Sequence, residues 1–533
     1  DTLINRQLRE SLGTGHDFEM NARLYGTSKV KGSNDVLNYG LDGSYKENAR
    51  QQFSRQGTNY AESQQQPLFR HQFADTPPRS KFEIAPFVSY TLSLGEGYRK
   101  LFVGYRFYHR NLSEQERIYR LDRLQGADSS FAHPIDLLPS ESEYQQVFDR
   151  ANSTLSHYIE NRHSPWAFLQ HTLQQGEWGQ LCLDVNLSGE LRHQRNDYER
   201  GSIDTVLYRF APTFDFSVKP WLRTKDSHHA GLEVGIGNNA PDLLNEAAVV
   251  DDTDPMNIRI GNPDLHYSLY MKTTLDGNLY SFNKRMHNRL DLHYGFTHNA
   301  IGMGQTYDRQ TGIRTYRPTN VNGNWDAFAR HTINYSFGDG KKHNARMITQ
   351  FSYRNSVDLM GENETPDNYQ LSIVNYQLSS VRTATLSFEP SMSLSLGKHT
   401  LNFSSDIAWN RYTSDRASFQ DISAWQYRIG ADAIVHLPWE FDLTTNLTLY
   451  GRTGYADASL NTSDLVWNAR LARSLFKGKW LVMLDGFDIL GQLSNVTRTI
   501  NAQGRTETYT NVLPRYALLH VVYKFSKQPK KRE

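Results

Sequence analysis

A single cysteine, Cys182, stands in 533 residues. That excludes a disulfide framework and a metal site built on several thiolates. No run of about 18 apolar residues occurs, which excludes a conventional membrane helix. Neither sign of charge dominates. Lys and Arg number 58 against 57 Asp and Glu, a net charge of +1, so no field points to nucleic acid or to an acidic partner. The opening DTLINRQLRESLG has neither the basic stretch nor the apolar core of a signal peptide, so either the mature chain starts here or the chain is a fragment. Apolar residues are scarce too, 38% with a mean hydropathy of −0.65, below the roughly 45–50% (glycine included) of globular proteins.

Aromatic residues, by contrast, are plentiful: 30 Tyr, 26 Phe and 9 Trp. Disordered chains are poor in these. A transmembrane β-barrel reconciles the polarity with the rings, because only its outward residues need be apolar and its lumen is wet.

Period-2 alternation supports that fold class. In KFEIAPFVSYTLSL one parity gives Phe82, Ile84, Pro86, Val88, Tyr90, Leu92 and Leu94, and the other gives Glu83, Ala85, Phe87, Ser89, Thr91 and Ser93. In HYSLYMKTTLDGNL, Leu269, Met271, Thr273, Leu275 and Leu279 alternate with Lys272, Thr274, Asp276 and Asn278. RYALLHVVYKF, near the end, carries Ala517, Leu519, Val521, Tyr523 and Phe525 on one parity. Each reads as a strand with one apolar face. The strands run to 12–20 residues on this reading, against about 5–6 in soluble sheets. Pro86 and Pro390 fall inside them, where proline cannot donate to the ladder, and predict bulges or bends.

Short connectors alternate with long ones. Short turns are expected near Lys29–Asn34, Gly95–Gly97, Gln174–Glu177, Pro220–His228, Phe282–Arg285, Gly338–Lys342, Gly397–Lys398, Leu437–Trp439 and Phe476–Gly478. Loops are expected near 55–79, 121–153, 200–204, 241–264, 309–319, 356–379, 413–423, 453–461 and 491–504. Short periplasmic turns and longer extracellular loops are the habit of outer-membrane barrels. The count is about 19 antiparallel strands. With the C-terminus periplasmic, the first of them runs downward, so upstream strands are expected. A total of about 22, the number in plugged transporters, leaves three, an odd number as parity requires.

Four segments in order carry a family resemblance: GNPDL (Gly261–Leu265), YDRQTGIRTYRPTNVNGNW (Tyr307–Trp325), LPWEFDLTTNLTLYGRTGY (Leu437–Tyr455) and the stretch from Gly486 to Phe525. The chain resembles the barrel portion of TonB-dependent outer-membrane receptors, in the branch called outer membrane β-barrel family protein. The resemblance implies one barrel domain over 1–533, the C-terminal part of a longer protein. No segment resembles the plug domain or the short box that engages TonB. SKQPKKRE follows Phe525, where such barrels commonly end on an aromatic. Implied partners are lipid, the barrel assembly machinery, TonB through a plug outside this chain, and a surface lipoprotein lid in some relatives.

Candidate chemistry is sparse. Asp226, His228 and His229 form a metal-like cluster or a polar turn. Asp251–Asp254 (DDTD) is either a cation site, since hard cations favour carboxylates, or a solvated acidic loop. Asp291 with His293 is a pair common on any wet face. Pro529–Arg532 (PKKR) reads as a solvated tail. Tyr98, Trp178, Trp439 and Trp480 fit an aromatic girdle beside short turns. Tyr144, Phe148 and Trp425 fall in expected loops, with either a structural role or a place to stack on a ligand. Arg106, Arg110, Lys272, Asp276 and Arg346 are expected in the lumen. No catalytic, cofactor or metal residue is assigned, and the substrate-binding residues are unknown. The implied function is uptake of a scarce nutrient (metal chelate, glycan or peptide) rather than catalysis. The alternative is a non-transporting surface anchor, and a soluble β-sandwich is a third reading.

Overall fold

The computed structural model describes residues 5–525 except 61–66, 96–97, 127–130, 202, 282–283, 309, 363–376, 417–418, 457, 494–495, 502–503, 510–512 and 514. The PKKR tail lies outside the described residues.

In chain order the strands are β1 (Asn5–Lys29), β2 (Val36–Tyr60), β3 (Leu68–Ser93), β4 (Arg99–Arg120), β5 (Thr154–Gly176), β6 (Gly179–Arg200), β7 (Ile203–Thr224), β8 (His229–Asn239), β9 (Val250–Asp251) and β10 (Asn257–Ile260). Then come β11 (Ser268–Ser281), β12 (Met286–His298), β13 (Ala300–Tyr307), β14 (Arg314–Val321), β15 (Asn324–Phe337), β16 (His343–Glu362), β17 (Gln377–Leu396) and β18 (His399–Ser414). The last are β19 (Ile422–Leu437), β20 (Phe441–Thr453), β21 (Thr462–Leu475), β22 (Trp480–Phe487), β23 (Val496–Asn501), β24 (Gly504–Tyr509) and β25 (Tyr516–Tyr523). All but β23 and β24 belong to one 23-stranded sheet.

Nineteen strands form its wall, each antiparallel to the next: β1 to β8, β11, β12, β15 to β22, and β25. That is the number the alternation gives. β9, β10, β13 and β14 lie in two long connections, and β23 and β24 form a separate hairpin in another. Among the described residues, β1 pairs only with β2 and β25 only with β22.

Every connection at one end of the wall is short, from 177–178 to the six residues 30–35, and the longer ones lie at the other end. Tight turns need positive φ. Gly32, Gly397 and Gly478 supply it, and at 438–440 Trp439 and Glu440 adopt it themselves. The expected loop at 55–79 is corrected. β2 extends to Tyr60 and β3 starts at Leu68, because polar side chains on both parities mask the period-2 pattern there, leaving only Phe53, Phe69 and Phe73 to mark the strands. Trp425 likewise sits within β19, opposite Trp409, and not in a loop.

Register shows what the alternation is for. Residues directly opposite one another share a face. One row runs Leu92, Leu101, Leu169, Val185, Val218, Val234, Thr273, Tyr294, Ala327 and Tyr353 across ten strands. This face carries Leu187, Phe210, Phe216, Met271, Phe351 and Leu447, all exposed. Loop residues such as Tyr144 and Leu124 cover this face only near its long-loop end, over Phe73 and Tyr119. No second layer covers the row itself among the described residues, so the soluble sandwich reading fails on geometry.

The expected bulges at prolines are also corrected. At Pro86, Pro165, Pro220 and Pro390 the ladder toward one neighbour lapses over two residues and resumes in unchanged register. Proline removes a donor without adding a residue, so nothing forces a shift. True register shifts lie at Asn48/Arg50 and Asp75/Lys81, both spanning the tandem Pro77 and Pro78 of β3, and at Thr172/Gln174.

Candidate functional site

The polar face is lined with compensated charge. Glu83, Arg110, Glu160, Arg162, Glu190 and Arg192 alternate in sign across β3 to β6. Arg110 meets Glu83 at 2.9 Å and Glu160 at 3.7 Å, and Arg162 meets Glu160 at 3.1 Å and Glu190 at 3.4 Å. Farther round, Asp276 takes Lys219 at 2.6 Å and His229 at 2.8 Å, while Lys272 meets Glu233 at 3.4 Å. Arg106 stacks over Phe87. Arg346 shares this face by register, opposite Asn334 and Ser391.

The sequence candidates separate. His229 bonds Asp276, while His228 accepts from the backbone N–H of Tyr280. Asp291 pairs with Arg289 at 2.8 Å and His293 with Asp326 at 3.5 Å. Among the described residues no three His, Cys, Asp or Glu side chains are grouped to hold a metal ion. Tyr98 is not part of an outer girdle. Its ring packs edge-on against Trp221 at 5.0 Å, beside Lys219 and His229 on the polar face. Trp178, Trp439 and Trp480 are exposed near the short turns. Tyr144 and Phe148 serve structure. Tyr144 packs on Phe73 and Tyr119, and Phe148 on Tyr119.

The connection between β8 and β11 forms a lid. It holds the helical turn α1 (Leu243–Glu246), β9 and β10, and β10 runs parallel to β14. Met256, Ile258, Leu265, Leu243 and Ala247 in it, with Val321 of β14, are buried. GNPDL explains the packing. A Cβ on Gly261 would sit 1.6 Å from the Ala247 carbonyl oxygen, so only glycine lets the two backbones touch. Asn262 is buried, donates to the Pro318 carbonyl and accepts from Arg317.

Arginines from distant wall strands seize the lid. Asp254 meets Arg9 of β1 at 2.8 Å, Asp251 meets Arg200 of β6 at 2.7 Å, and Glu246 meets Arg209 of β7 at 2.9 Å. Arg70 of β3 donates to the carbonyls of Asp252 and Thr253. The acidic run is therefore not free in solvent, although its side chains keep 33–46% exposure. It is ion-paired, and the pairing partners lie too far off in sequence to be foreseen. Asn5 of β1 also donates to the Thr311 carbonyl, beyond the tenth wall strand. On a flat sheet the first and tenth strands would lie about 40 Å apart at the usual spacing. The wall is therefore curled with its polar face concave, and the lid crosses that side.

Burial disfavours charge on Asp251 and Asp254, but the bonds from Thr253 and Asn257 and the fields of Arg200 and Arg9 outweigh it and hold both below the ordinary aspartate range. Their contribution is complete above the ordinary value of about 4 and is lost as pH falls through the lower folded values. Protease cleavage within 240–265 is expected to be slow at neutral pH and to rise as pH falls below the ordinary aspartate value of about 4, and unchanged cleavage in acid would refute the latch.

Beneath the lid lies a cavity of about 830 Å³, lined by Arg9, Gln56, Arg70, Gln72, Arg259 and Tyr316 among others. It can enclose a polar solute and present donors to it. Sequence reading missed these residues. Arginine on the inward parity at the long-loop end of a strand was the signal available.

No family model and no curated protein matches the chain. Its neighbours among solved structures are receptors and transporters. The siderophore receptor PirA from Pseudomonas aeruginosa is 8% identical, with a TM-score of 0.40 over 97% of this chain and 80% of that one. BauA, the ferric preacinetobactin receptor from Acinetobacter baumannii, is 8% identical with a TM-score of 0.43, over 97% and 79%. The outer membrane transporter YddB from Escherichia coli is 9% identical with a TM-score of 0.39, over 95% and 75%. At these identities and scores they assign this chain neither a ligand nor a residue role.

Proposed function

We propose that the chain is the wall of an outer-membrane transporter, oriented with its C-terminus periplasmic and its long loops outside. The observation that carries this is the uncovered apolar row across ten strands, backed by a concave face of paired charges. Lipid is the natural solvent for the first and water for the second. We further propose that three more strands complete the wall, and that a plug within it engages TonB and draws on its energy to admit a scarce nutrient such as a metal chelate, glycan or peptide. The assembly machinery would insert the wall, and a surface lipoprotein could sit over the lid. Uptake of candidate nutrients by cells with and without the gene tests the reading. Loss of uptake of one nutrient class on deletion is expected. Unchanged uptake of all of them, with surface binding retained, would overturn transport in favour of an anchor.

A further inference from the structure

The cavity under the lid has an imbalance of donors over acceptors. Arg70 and Gln72 each keep 7% of their surface. The side-chain amide nitrogens of Gln56 and Gln72 and the Nε of Arg70 are enclosed, and no acceptor among the described residues bonds any of them. These three residues share the concave face, on neighbouring rows of β2 and β3: Arg9 is opposite Gln56, which is opposite Arg70, and Ser11 is opposite Ser54, which is opposite Gln72. Enclosed donors left unmade are costly, far more so than satisfied ones are favourable, so a cluster of them in one cavity calls for an acceptor from elsewhere.

The nearby carboxylates are already committed. Asp254 accepts from Arg9, from Asn257 and from the backbone of Met256. Asp251 accepts from Arg200 and Thr253. Glu10 and Arg55 also line the cavity, and Glu10 is committed to Arg55. Arg259, on β10, is exposed at the cavity and takes no carboxylate partner among the described residues. Tyr316 and Met303 add an aromatic and an apolar surface. A cavity of this size suits a solute of ordinary ligand dimensions.

We propose that this cavity binds the anionic oxygens of a small carboxylate- or phosphate-bearing solute, with Arg259 as its counter-charge and Gln56, Gln72 and Arg70 as its buried donors. This deepens the transport reading and rests on it only for the direction of passage. Carboxylate and phosphate groups offer the same acceptor chemistry to an arginine fork, so the two sources are tested side by side.

The full chain, folded in detergent, is titrated calorimetrically with tricarballylate and with pyrophosphate, with maltose as the neutral control. Saturable binding of at least one anion and none of maltose is expected, and the tighter arm identifies the source. Arg259→Ala and Gln72→Leu should each weaken that binding about tenfold to a hundredfold, the range for losing a hydrogen bond to a charged group. Lys342→Ala, at the short-turn end, should leave it unchanged. Because Arg259 is exposed, its replacement should not disturb folding, and the migration of the unboiled folded protein on a gel checks this for each variant. Binding of neither anion, or binding undiminished in Arg259→Ala, would overturn the assignment. Binding that persists while cells show no uptake would remove the transport reading and leave this one intact.

Discussion

Leu275→Arg is expected to cost about 2–4 kcal/mol of folded stability in lipid, the penalty for arginine near the bilayer midplane on a barrel's outer face. Leu275 sits midway along β11, opposite Leu232 and Leu292, on the uncovered apolar face. Thr274, one residue away, points to the concave face, opposite Glu233 and His293, and Thr274→Arg is expected to cost far less. Refolding into lipid vesicles followed by urea titration measures both. The comparison is sharp because water outside the wall would erase the difference between the two positions. An exposed leucine on a soluble surface changes stability by no more than about 0.5 kcal/mol when replaced. Equal, small effects at the two positions would therefore sink the membrane reading.

Gly261→Ala is the second large effect expected, and it is confined to the lid. The added methyl would meet the Ala247 carbonyl oxygen at 1.6 Å and its carbon at 2.7 Å. Both are backbone atoms, so no side-chain rotation relieves the clash. Segments 243–247 and 260–262 must part. That strains the bonds of Gly261 N–H to Val249 and of Asn262 N–H to Asn245. Overpacking of a tight site costs about 1–3 kcal/mol and occasionally more, which at the upper end raises the open fraction about a hundredfold. Protease should then cut 240–265 quickly in a protein whose wall melts at the same urea concentration. A uniform loss of wall stability would contradict the view that the lid is a separate layer.

The wall was legible because lipid and water impose a strict rule on alternate residues. Val88, Met271 and Leu519 each announce their face. The tight turns were legible because few residues take positive φ, as at Gly397. The lid was not. Its acidic run is matched by Arg9, Arg70 and Arg200, which lie up to 245 residues away, and only curvature of the sheet brings them there. The cavity donors were silent for the same reason. Gln56 and Gln72 look like ordinary polar strand residues until a distant loop covers them. Tyr98 misled because an aromatic beside a turn fits a girdle or an inward stack equally well, and Trp221 decides between them only in three dimensions.

The four proline lapses share a setting. Each lies between strands joined by a short turn, namely β3 with β4, β5 with β6, β7 with β8, and β17 with β18. A missing bond there is fenced in, with a tight bend within a dozen residues on one side and resumed ladder on the other. The ribbon can loosen at such a spot without sliding, since slippage would have to drag the bend with it. The wall thus holds slack at fixed points while its rows stay in step, and amide exchange should be quickest on the partners that face these prolines.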